Sequence, residues 1–551
     1  MLLFPFRWLW WLVSSAWRSI GGPPEYVVFV IGENLPALPD PPRPFWQRFL
    51  GRPRLSVKEL GERFEAIARD RRIKGVVLHL RAVAMPMATL QDLREQVANL
   101  RSAGKRVVAW STSYVTETYY LACACDEILL MPTGMVSALG FATTGTFLAD
   151  GLARFGIRGD FIQVSPYKSA ADPLTRSSMS DELREQLTWL LDSNYNELVA
   201  AIAASRGVDE AGAKSLIDGS PFSDDGALEK HAVDRVVGEE DLGLKIGSWE
   251  RASRKMRRPA PTLGRGKYVA LMRIEGTIVD GESGRMPVRP PIEIPLVGGD
   301  RAGDLTVVQV ARQVAADRRA AAVVLYVNSR GGSSTASEAM RRALVTIAAR
   351  KPLVVVMGPV AGSGGYDVAT PGSWIIARPG TLTGSIGVLG GKIVTGALWS
   401  KLLFNRETIA FGEHVTINND ERSYTDVERE IIRREIDHVY RGFLEVVATA
   451  RKKTVEELRP VADGKVWTGR QALERGLVDE MGGLDAGARK ARSLAGLPDR
   501  APLREVRGPR RYVPPAQPTA AAWFAYVLEG LTLLNRAPAL TVMEYLPGDL
   551  S

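Results

Sequence analysis

The chain has 551 residues, of which 45% are hydrophobic and 24% are charged, and its formal net charge is +9. This length exceeds what one hydrophobic core usually supports, so two domains with appended segments are expected. The composition excludes a largely disordered chain. The sequence shows no nucleic-acid-binding motif, and we expect no nucleic-acid partner.

The N-terminal segment, residues 1–22, is apolar and rich in tryptophan, and it predicts contact with a membrane. A spanning helix needs about 20 apolar residues, and Arg7 interrupts this run. Tryptophan side chains prefer the bilayer interface. Spanning the bilayer and lying in its surface therefore both remain open. Without a signal-peptidase cleavage pattern, the segment is expected to be retained.

The chain that follows contains an internal repeat. The motif DRRIKGVVLHL at Asp70–Leu80 returns as DRRAAAVVLYV at Asp317–Val327, an offset of 317 − 70 = 247. Residues Thr116–Phe141 and Ser363–Val388 share the same offset, 363 − 116 = 247. Two distant matches at one offset indicate a tandem duplication. We predict domains at 23–250 and 267–500, joined by a basic linker at 251–266 and followed by a Pro-rich tail at 501–551.

Each half alternates short apolar runs with amphipathic stretches. The runs VVLHL, RVVAW and DEILLM, and then VVLYV, LVVVM and WIIA, predict buried strands. Helices are predicted between them, for example at 90–101 and 336–349, and longer helices at 180–205 and 425–449. The alternation indicates an α/β fold with a mostly parallel sheet in each half.

Three further features have ordinary interpretations. Cys123 and Cys125 are predicted to face the same side of a strand as small core residues, and no metal-ligand spacing or cofactor motif accompanies them. The basic linker is expected to be solvated, with an anionic membrane surface as the alternative. The apolar stretch at 520–534 predicts a helix that is buried, packs on another subunit or touches the membrane.

Two glycine-rich loops occur only in the second half. NSRGGS at Asn328–Ser333 lies opposite RAVAMP, and GSGGY at Gly362–Tyr366 lies opposite VTETY. Glycines after a strand expose backbone N–H groups, so Gly331 or Gly332, together with Gly364, could form an oxyanion hole. Ser363 would then be an exposed nucleophile, although simple turns or a phosphate site fit these loops too.

A serine nucleophile needs a base. Of the four histidines only His414 is plausible, and a structural role fits it better. Lys168 lies in SPYKSAADPLTR of the first half, and the matching region of the second half has no lysine. A lysine in apolar surroundings can be neutral and accept a proton, although most lysines are surface residues. Ser385, which is Ala138 in the first copy, could orient the amine or merely cap a turn.

These motifs resemble a known family. MGPVAGSGGYDVAT, TLTGSIGVLG, NSRGGSSTASE, YKSAADPLTR and VWTGRQALERGLVD resemble the signal peptide peptidase A family, also called protease IV, in its double-length bacterial form. The resemblance implies two crotonase/Clp-protease-like domains, a Ser363–Lys168 dyad and a supporting role for Ser385. The family's N-S-P-G-G-S motif is altered here, because Arg330 replaces the proline.

The resemblance also implies a partner and a location. It implies a bowl-shaped homotetramer on the periplasmic side of the inner membrane, in contact with lipid, with its sites facing an interior cavity. The expected reaction is degradation of released signal peptides and other hydrophobic peptides. The alternatives are a crotonase-like acyl-CoA enzyme, which would place carboxylates at the site, and a non-catalytic membrane scaffold. Retention of Ser363, Lys168 and Ser385 together favours the peptidase.

Overall fold

A computed structural model describes most of the chain. The described residues are Trp8, Trp10, Trp11, 22–40, 54–81, 84–256, 266–284, 300–508 and, for the backbone alone, 540–542. The apolar stretch at 520–534, residues 257–265 of the predicted linker and all but four residues of the predicted membrane segment lie outside them. In the described part of the chain, no helix combines the length and apolar character needed to cross a bilayer.

The chain forms two compact units that depart from the sequence halves. The first comprises Met1–Ala142, Leu191–Gly266 and Gly548–Ser551, and the second comprises Thr143–Leu190 and Lys267–Pro547. Residues 143–190 thus belong to the first half by sequence but pack within the second unit. Lys168 lies in this segment, so Lys168 and Ser363 belong to the same unit.

The first unit is built on a seven-stranded sheet in which β6, β4, β3, β2, β1 and β8 follow one another and β7 pairs with β4. Only the β4–β6 pairing is antiparallel. Its strands are β1 (Tyr26–Ile31), β2 (Gly75–Leu80), β3 (Arg106–Val115), β4 (Glu127–Ser137), β6 (Phe222–Ser223), β7 (Arg235–Val236) and β8 (Ile246–Ser248).

The helices that begin in the first half are α1 (Val57–Arg69), α2 (Met87–Ser102), α3 (Thr116–Ala122), α4 (Ala149–Phe155), α5 (Asp172–Thr175), α6 (Asp181–Arg206), α7 (Glu210–Gly219), α8 (Asp224–Glu229) and α9 (Trp249–Lys255), with a 3₁₀ turn at Ser169–Ala171. α1 begins where the sequence provides a capping box: the Glu59 N–H donates to Ser56 Oγ, and Glu59 Oε2 accepts from the Ser56 N–H.

The second unit contains two sheets. The larger follows the order β18, β16, β14, β12, β9 and β20, with β15 on β14 and β19 on β15. Its strands are β9 (Tyr268–Glu275), β12 (Ala320–Ser329), β14 (Leu353–Gly362), β15 (Trp374–Ala377), β16 (Leu382–Gly384), β18 (Val466–Thr468), β19 (Glu480–Met481) and β20 (Leu503–Glu505). Its long strands are parallel and buried along most of their length, which explains their nearly continuous apolar sequences.

The smaller sheet follows the order β11, β10, β13, β21, β17 and β5. Its strands are β5 (Arg158–Gln163), β10 (Thr277–Val279), β11 (Arg301–Gly303), β13 (Gly331–Ser333), β17 (Leu389–Val394) and β21 (Leu540–Val542). The antiparallel pairing of β5 with β17 joins a strand of the first sequence half to one of the second over six residue pairs. This pairing holds the segment that carries Lys168 within the second unit.

The remaining helices are α10 (Asp304–Ala316), α11 (Ser334–Ala348), α12 (Gly364–Asp367), α13 (Gly396–Lys401), α14 (Asp426–Arg451), α15 (Val455–Leu458), α16 (Gly469–Glu474) and α17 (Leu484–Leu494), with a 3₁₀ turn at Arg459–Val461. The predicted long helices match α6 and α14 to within a few residues. The strand placement of Cys123 and Cys125 is wrong, because both lie in the turn after α3, but both are buried free thiols as expected of core residues.

Candidate active site

The proposed nucleophile occupies a strained turn. Ser363 lies between β14 and α12 with φ 56° and ψ −119°, and its N–H donates to the Gly384 carbonyl at 2.8 Å. A non-glycine residue at positive φ is costly and marks a backbone held by its surroundings. A Cβ at Gly365 would lie 2.4 Å from the Ser329 carbonyl oxygen, so the close approach of two strand ends requires glycine there.

The expectation of an exposed nucleophile is wrong. The Ser363 side chain has no solvent-accessible surface. The turn does aim the hydroxyl, since Oγ lies 3.4 Å from the Gly387 carbonyl oxygen and 2.8 Å from Lys168 Nζ. A sequence pattern of small residues predicts a tight turn but does not show what covers it.

Lys168 reaches Ser363 from the turn that follows β5. Its side chain is fully buried, and its Nζ lies 2.8 Å from Ser363 Oγ, 2.8 Å from Ser385 Oγ and 2.9 Å from the Ser385 carbonyl oxygen. A neutral amine has two N–H donors and one lone pair. Two donations to Ser385 would leave the lone pair directed at the Ser363 hydroxyl.

Ser385 holds the amine through both its side chain and its backbone. Its φ is 48°, again in the left-handed region, and its N–H donates to the Lys465 carbonyl at 2.7 Å. This unusual backbone lets the hydroxyl and the carbonyl face the same Nζ. The structure therefore brings Ser363, Lys168 and Ser385 together, while His414 is exposed.

The predicted oxyanion glycines lie beside this cluster. Gly364 begins α12, which packs against β13. The Gly331 N–H donates to Ser329 Oγ at 3.1 Å, whereas a Cβ at Gly332 would lie 2.0 Å from the Ile278 carbonyl oxygen. The Gly331 N–H is thus engaged within its own loop. Arg330, which precedes this strand, is half-buried.

The edge of β13, the strand that contains Gly331 and Gly332, is occupied by β21. The backbone of β21 pairs antiparallel with β13, with Thr541 opposite Gly332 and Leu540 opposite Ser333. Leu540 also lies opposite Leu389 of β17. An extended segment therefore fits between β13 and β17, next to the cluster.

The sequence did not reveal a loop that fixes Lys168. Gly464, with φ 82°, packs so closely that a Cβ there would lie 2.8 Å from Lys168 N, Cα and Cβ. Beside it, the Asp463 carbonyl accepts a hydrogen bond from Ser165 Oγ, and Asp463 Oδ1 accepts one from the Tyr440 hydroxyl. The signal for this loop was the Asp-Gly pair after the long helix of each half.

Stacked aromatic side chains cover the same loop. The rings of Trp467 and Trp189 stack with centroids 4.9 Å apart and an interplanar angle of 17°. The Arg475 guanidinium lies 3.9 Å from the Trp467 ring centroid. Cation–π and stacking contacts of this kind are worth about 0.5–2 kcal/mol each. They stabilise β18, which follows the loop.

A serine and a lysine buried together beside glycine-lined backbone are the groups that a serine nucleophile with a lysine base would need. The sequence profile of Peptidase family S49 matches residues 99–248 and 345–498, two segments that begin 345 − 99 = 246 residues apart. The chain belongs to Peptidase family S49. Membership favours a serine peptidase over the acyl-CoA enzyme and the scaffold considered above.

Individual relatives support the same assignment. The chain is 28% identical to Serine protease SPPA, chloroplastic, of Arabidopsis thaliana over 81% of this chain and 66% of that protein. It is 32% identical to Protease 4 of Salmonella typhi over 78% of this chain and 70% of that protein. The matches thus span about two thirds of the length of these relatives. A ClpP1 mutant from Listeria monocytogenes aligns with 40% of this chain and 94% of its own, at a TM-score of 0.25 and 14% identity, which is too low to compare the folds.

Proposed function

We propose that the chain is a serine endopeptidase with a Ser363–Lys168 dyad. The observation that carries this proposal is the 2.8 Å contact between Ser363 Oγ and Lys168 Nζ inside a fully buried cluster. Neutral Lys168 accepts the Ser363 proton as Oγ bonds to the peptide carbonyl carbon. When the C–N bond breaks, the Lys168 ammonium donates that proton to the leaving amine.

The acyl-enzyme is resolved by the same amine. Lys168 takes a proton from water as the water oxygen attacks the ester carbon, and it returns the proton to Ser363 Oγ as the ester bond breaks. Ser385 holds the amine in place for both steps. The N–H groups of Gly332 and Gly364 stabilise the oxyanion of each tetrahedral intermediate.

The substrate is an extended peptide that adds a strand to β13. This proposal is supported by β21, which shows that the edge of Gly331–Ser333 accepts an antiparallel strand. Recognition by strand addition uses backbone hydrogen bonds and tolerates many side-chain sequences. Together with the family resemblance, this suits released signal peptides and other hydrophobic peptides as substrates.

The finer architecture and the location belong to the same proposal. The resemblance supports crotonase/Clp-protease-like domains, a homotetramer and an inner-membrane enzyme whose catalytic bowl lies on the periplasmic side. The tryptophan-rich segment at 1–22 would supply lipid contact, because indole side chains concentrate at bilayer interfaces. The dyad does not depend on any of these features.

The dyad is tested by two alanine variants with matched controls. Ser363→Ala and Lys168→Ala should each reduce kcat/KM for a hydrophobic peptide by at least about 10³-fold, as expected when one member of a catalytic unit is removed. Thr116→Ala is the control for the serine, since Thr116 is its counterpart in the first half. Lys105→Ala is the control for the lysine, because Lys105 is also buried but donates to the carbonyls of Asp70 and Ile73.

The activities of these variants can also refute the Ser363–Lys168 dyad. Each protein is compared by its far-ultraviolet circular dichroism and its sedimentation coefficient before activity is measured. Hydrolysis by folded Lys168→Ala within about tenfold of wild type would refute the dyad. If Lys105→Ala lost as much kcat/KM as Lys168→Ala, the loss would reflect removal of a buried lysine from the fold and not removal of a catalytic base.

A further inference from the structure

The pairing of β5 with β17 has a second, unused copy in the chain. The offset of 247 relates β5 to residues 405–410 (158 + 247 = 405) and β17 to residues 142–147 (389 − 247 = 142). Neither of these counterpart segments is a strand in the structure. Each repeat thus contributes two segments that could pair as strands. The chain forms the pairing of β5 with β17, but it does not form the equivalent pairing of residues 405–410 with residues 142–147.

Local structure shows that the counterpart segments are equivalent. α4 begins at Ala149 and α13 begins at Gly396, which is again 396 − 149 = 247 residues later. Each helix is followed by a residue in the left-handed region, Gly156 with φ 83° and Leu403 with φ 61°. The surroundings of the next segment differ, since β5 pairs with β17 and residues 405–410 pair with no strand among the residues that the structure describes.

The segment at 403–411 has apolar side chains that face solvent. Ile162 of β5 is 5% exposed, whereas its counterpart Ile409 is 90% exposed. Val164 is packed against the core, whereas its counterpart Phe411 is 91% exposed. Large apolar side chains exposed in one contiguous segment are typical of an interaction surface.

The counterpart of β17 also pairs with no strand in the described part of the chain. Among the described residues, Thr143 Oγ1 is buried without a hydrogen-bond partner. Residues 144 and 146 are exposed threonines that alternate with half-buried neighbours, as on the edge of a sheet. An edge of this kind is a template for a strand from another chain.

We propose that residues 405–410 of one chain pair antiparallel with residues 143–147 of a second copy, and thereby repeat the β5–β17 pairing between chains. The register follows from the observed one: Gly391 lies opposite Phe161, so Thr144 lies opposite Thr408 of the neighbouring copy. This interface rests on the proposed self-association and specifies its contact. It does not depend on the peptidase reaction.

The pairing has consequences for assembly and for catalysis. Each chain offers one segment of each kind, so the contact joins unlike surfaces of the two copies, and the assembly is closed only if the last copy pairs with the first. The counterpart of Lys168 is Val415 (168 + 247 = 415), and the counterpart of Ser363 is Thr116. The junction between copies would therefore repeat the architecture of the active site without its base or its serine.

Disulfide trapping tests the register in the full-length protein. Thr144→Cys and Thr408→Cys variants are purified separately, mixed under mild oxidation and analysed by non-reducing electrophoresis. Directly opposite residues of an antiparallel pair have Cβ atoms about 4.5–5.5 Å apart, within reach of a disulfide after small adjustments. The mixture should give a covalent dimer, while each variant alone and the wild type should not.

Two controls sharpen this test. A mixture of Thr146→Cys and Thr408→Cys is displaced by one diagonal, about 7–8 Å, and should cross-link at least tenfold more slowly. Ile409→Lys should shift sedimentation from the oligomer toward the monomer, whereas Val427→Lys, at an apolar site that is 60% exposed on α14, should not.

The outcomes separate the interface from the broader proposal. An oligomer that persists in Ile409→Lys, without cross-linking of the Thr144 and Thr408 cysteines, would overturn the pairing but not self-association. A wild-type protein that sediments as a monomer would overturn both. Neither result bears on the dyad, because Ser363 and Lys168 belong to one chain.

Discussion

The turn at Ser363 and its counterpart at Thr116 occupy equivalent positions in the two halves, but their backbone conformations differ. Ser363 has φ 56° and precedes the short helix α12, whereas Thr116 is the first residue of the regular helix α3. Both hydroxyl oxygens lie near corresponding carbonyls, Ser363 Oγ 3.4 Å from the Gly387 oxygen and Thr116 Oγ1 3.0 Å from the Gly140 oxygen, since 387 − 247 = 140. The fold alone therefore needs the hydroxyl-to-carbonyl contact, and the strained backbone is found only where the lysine arrives.

The loop that fixes Lys168 gives the largest expected effect. The Asp-Gly pairs at 463–464 and 218–219 correspond, with the offset of 245 that also relates QALERGLVD to GALEKHAVD (471 − 226 = 245). Gly464→Ala places a methyl group 2.8 Å from the Lys168 backbone at a φ of 82°. We expect kcat/KM to fall at least about 100-fold, because a displacement of about 1 Å at a catalytic group has effects of that size.

The matched control is the other glycine. A Cβ at Gly219 would meet only the Phe222 ring, at 3.1 Å, and a side chain can move aside. Gly219→Ala should therefore change kcat/KM by less than about threefold. Equal losses in the two variants, measured with one peptide substrate, would show that the loop of the second half has no special relation to the lysine.

Ser385 gives the next effect. Its counterpart Ala138 shows that the fold accepts alanine at this point, so Ser385→Ala should fold. The variant removes one of two contacts that hold Nζ, and we expect kcat to fall about 10- to 100-fold, as for the loss of one hydrogen bond to a charged group. A turn-capping role would lower the melting temperature but leave the pH dependence of kcat/KM unchanged, whereas a role at the amine should shift that profile.

Asp367, four residues after Ser363, is a buried carboxyl group that the first half lacks at the equivalent position. Burial raises the pKa of Asp367 to about 7, although Arg341 nearby opposes this effect. Since the pKa in the unfolded chain is about 3.9, the folded protein binds more protons between about pH 4 and 7. Stability is therefore greatest below this range and falls as the pH rises through it. Asp367→Asn should gain about 1–3 kcal/mol relative to wild type between pH 5 and pH 8.

The counterpart of Asp367 provides the control for that measurement. Tyr120 occupies its position, since 367 − 247 = 120, and burial raises its pKa above the ordinary value of 10. Tyr120 is neutral at pH 5 and at pH 8, so the effect of Tyr120→Phe on the thermal midpoint should be the same at both. A pH-independent shift for Asp367→Asn would show that this carboxyl does not titrate in the range.

The sequence was sufficient to locate most of the elements and to single out Ser363 and Lys168, which the structure brings together, because duplication separates what the fold needs from what it does not. The glycine loops of the second copy and the lysine of the first are both evident in the sequence. The association of residues 143–190 with the second unit is not evident, since β5 and its counterpart at 405–410 have similar patterns and only tertiary pairing distinguishes them. The role of Gly464 could not be predicted for a related reason, because its close packing against Lys168 has no effect on the hydrophobic periodicity of the sequence.

The smallest expected effect concerns the strand beside the glycines. Residues 84–86 correspond to β13 (331 − 247 = 84) but include Pro86, which cannot donate a backbone hydrogen bond, and they form no strand. Only the second half therefore offers an edge, and β21 occupies it.

Removing residues 509–551 should free this edge and lower KM for a hydrophobic peptide about two- to tenfold, since an intramolecular competitor is lost. The variant Thr541→Pro, which removes one N–H opposite Gly332, should act in the same direction with the tail still present. An unchanged KM in both variants, with wild-type melting temperatures, would show that β21 does not compete with substrate and that peptides bind elsewhere.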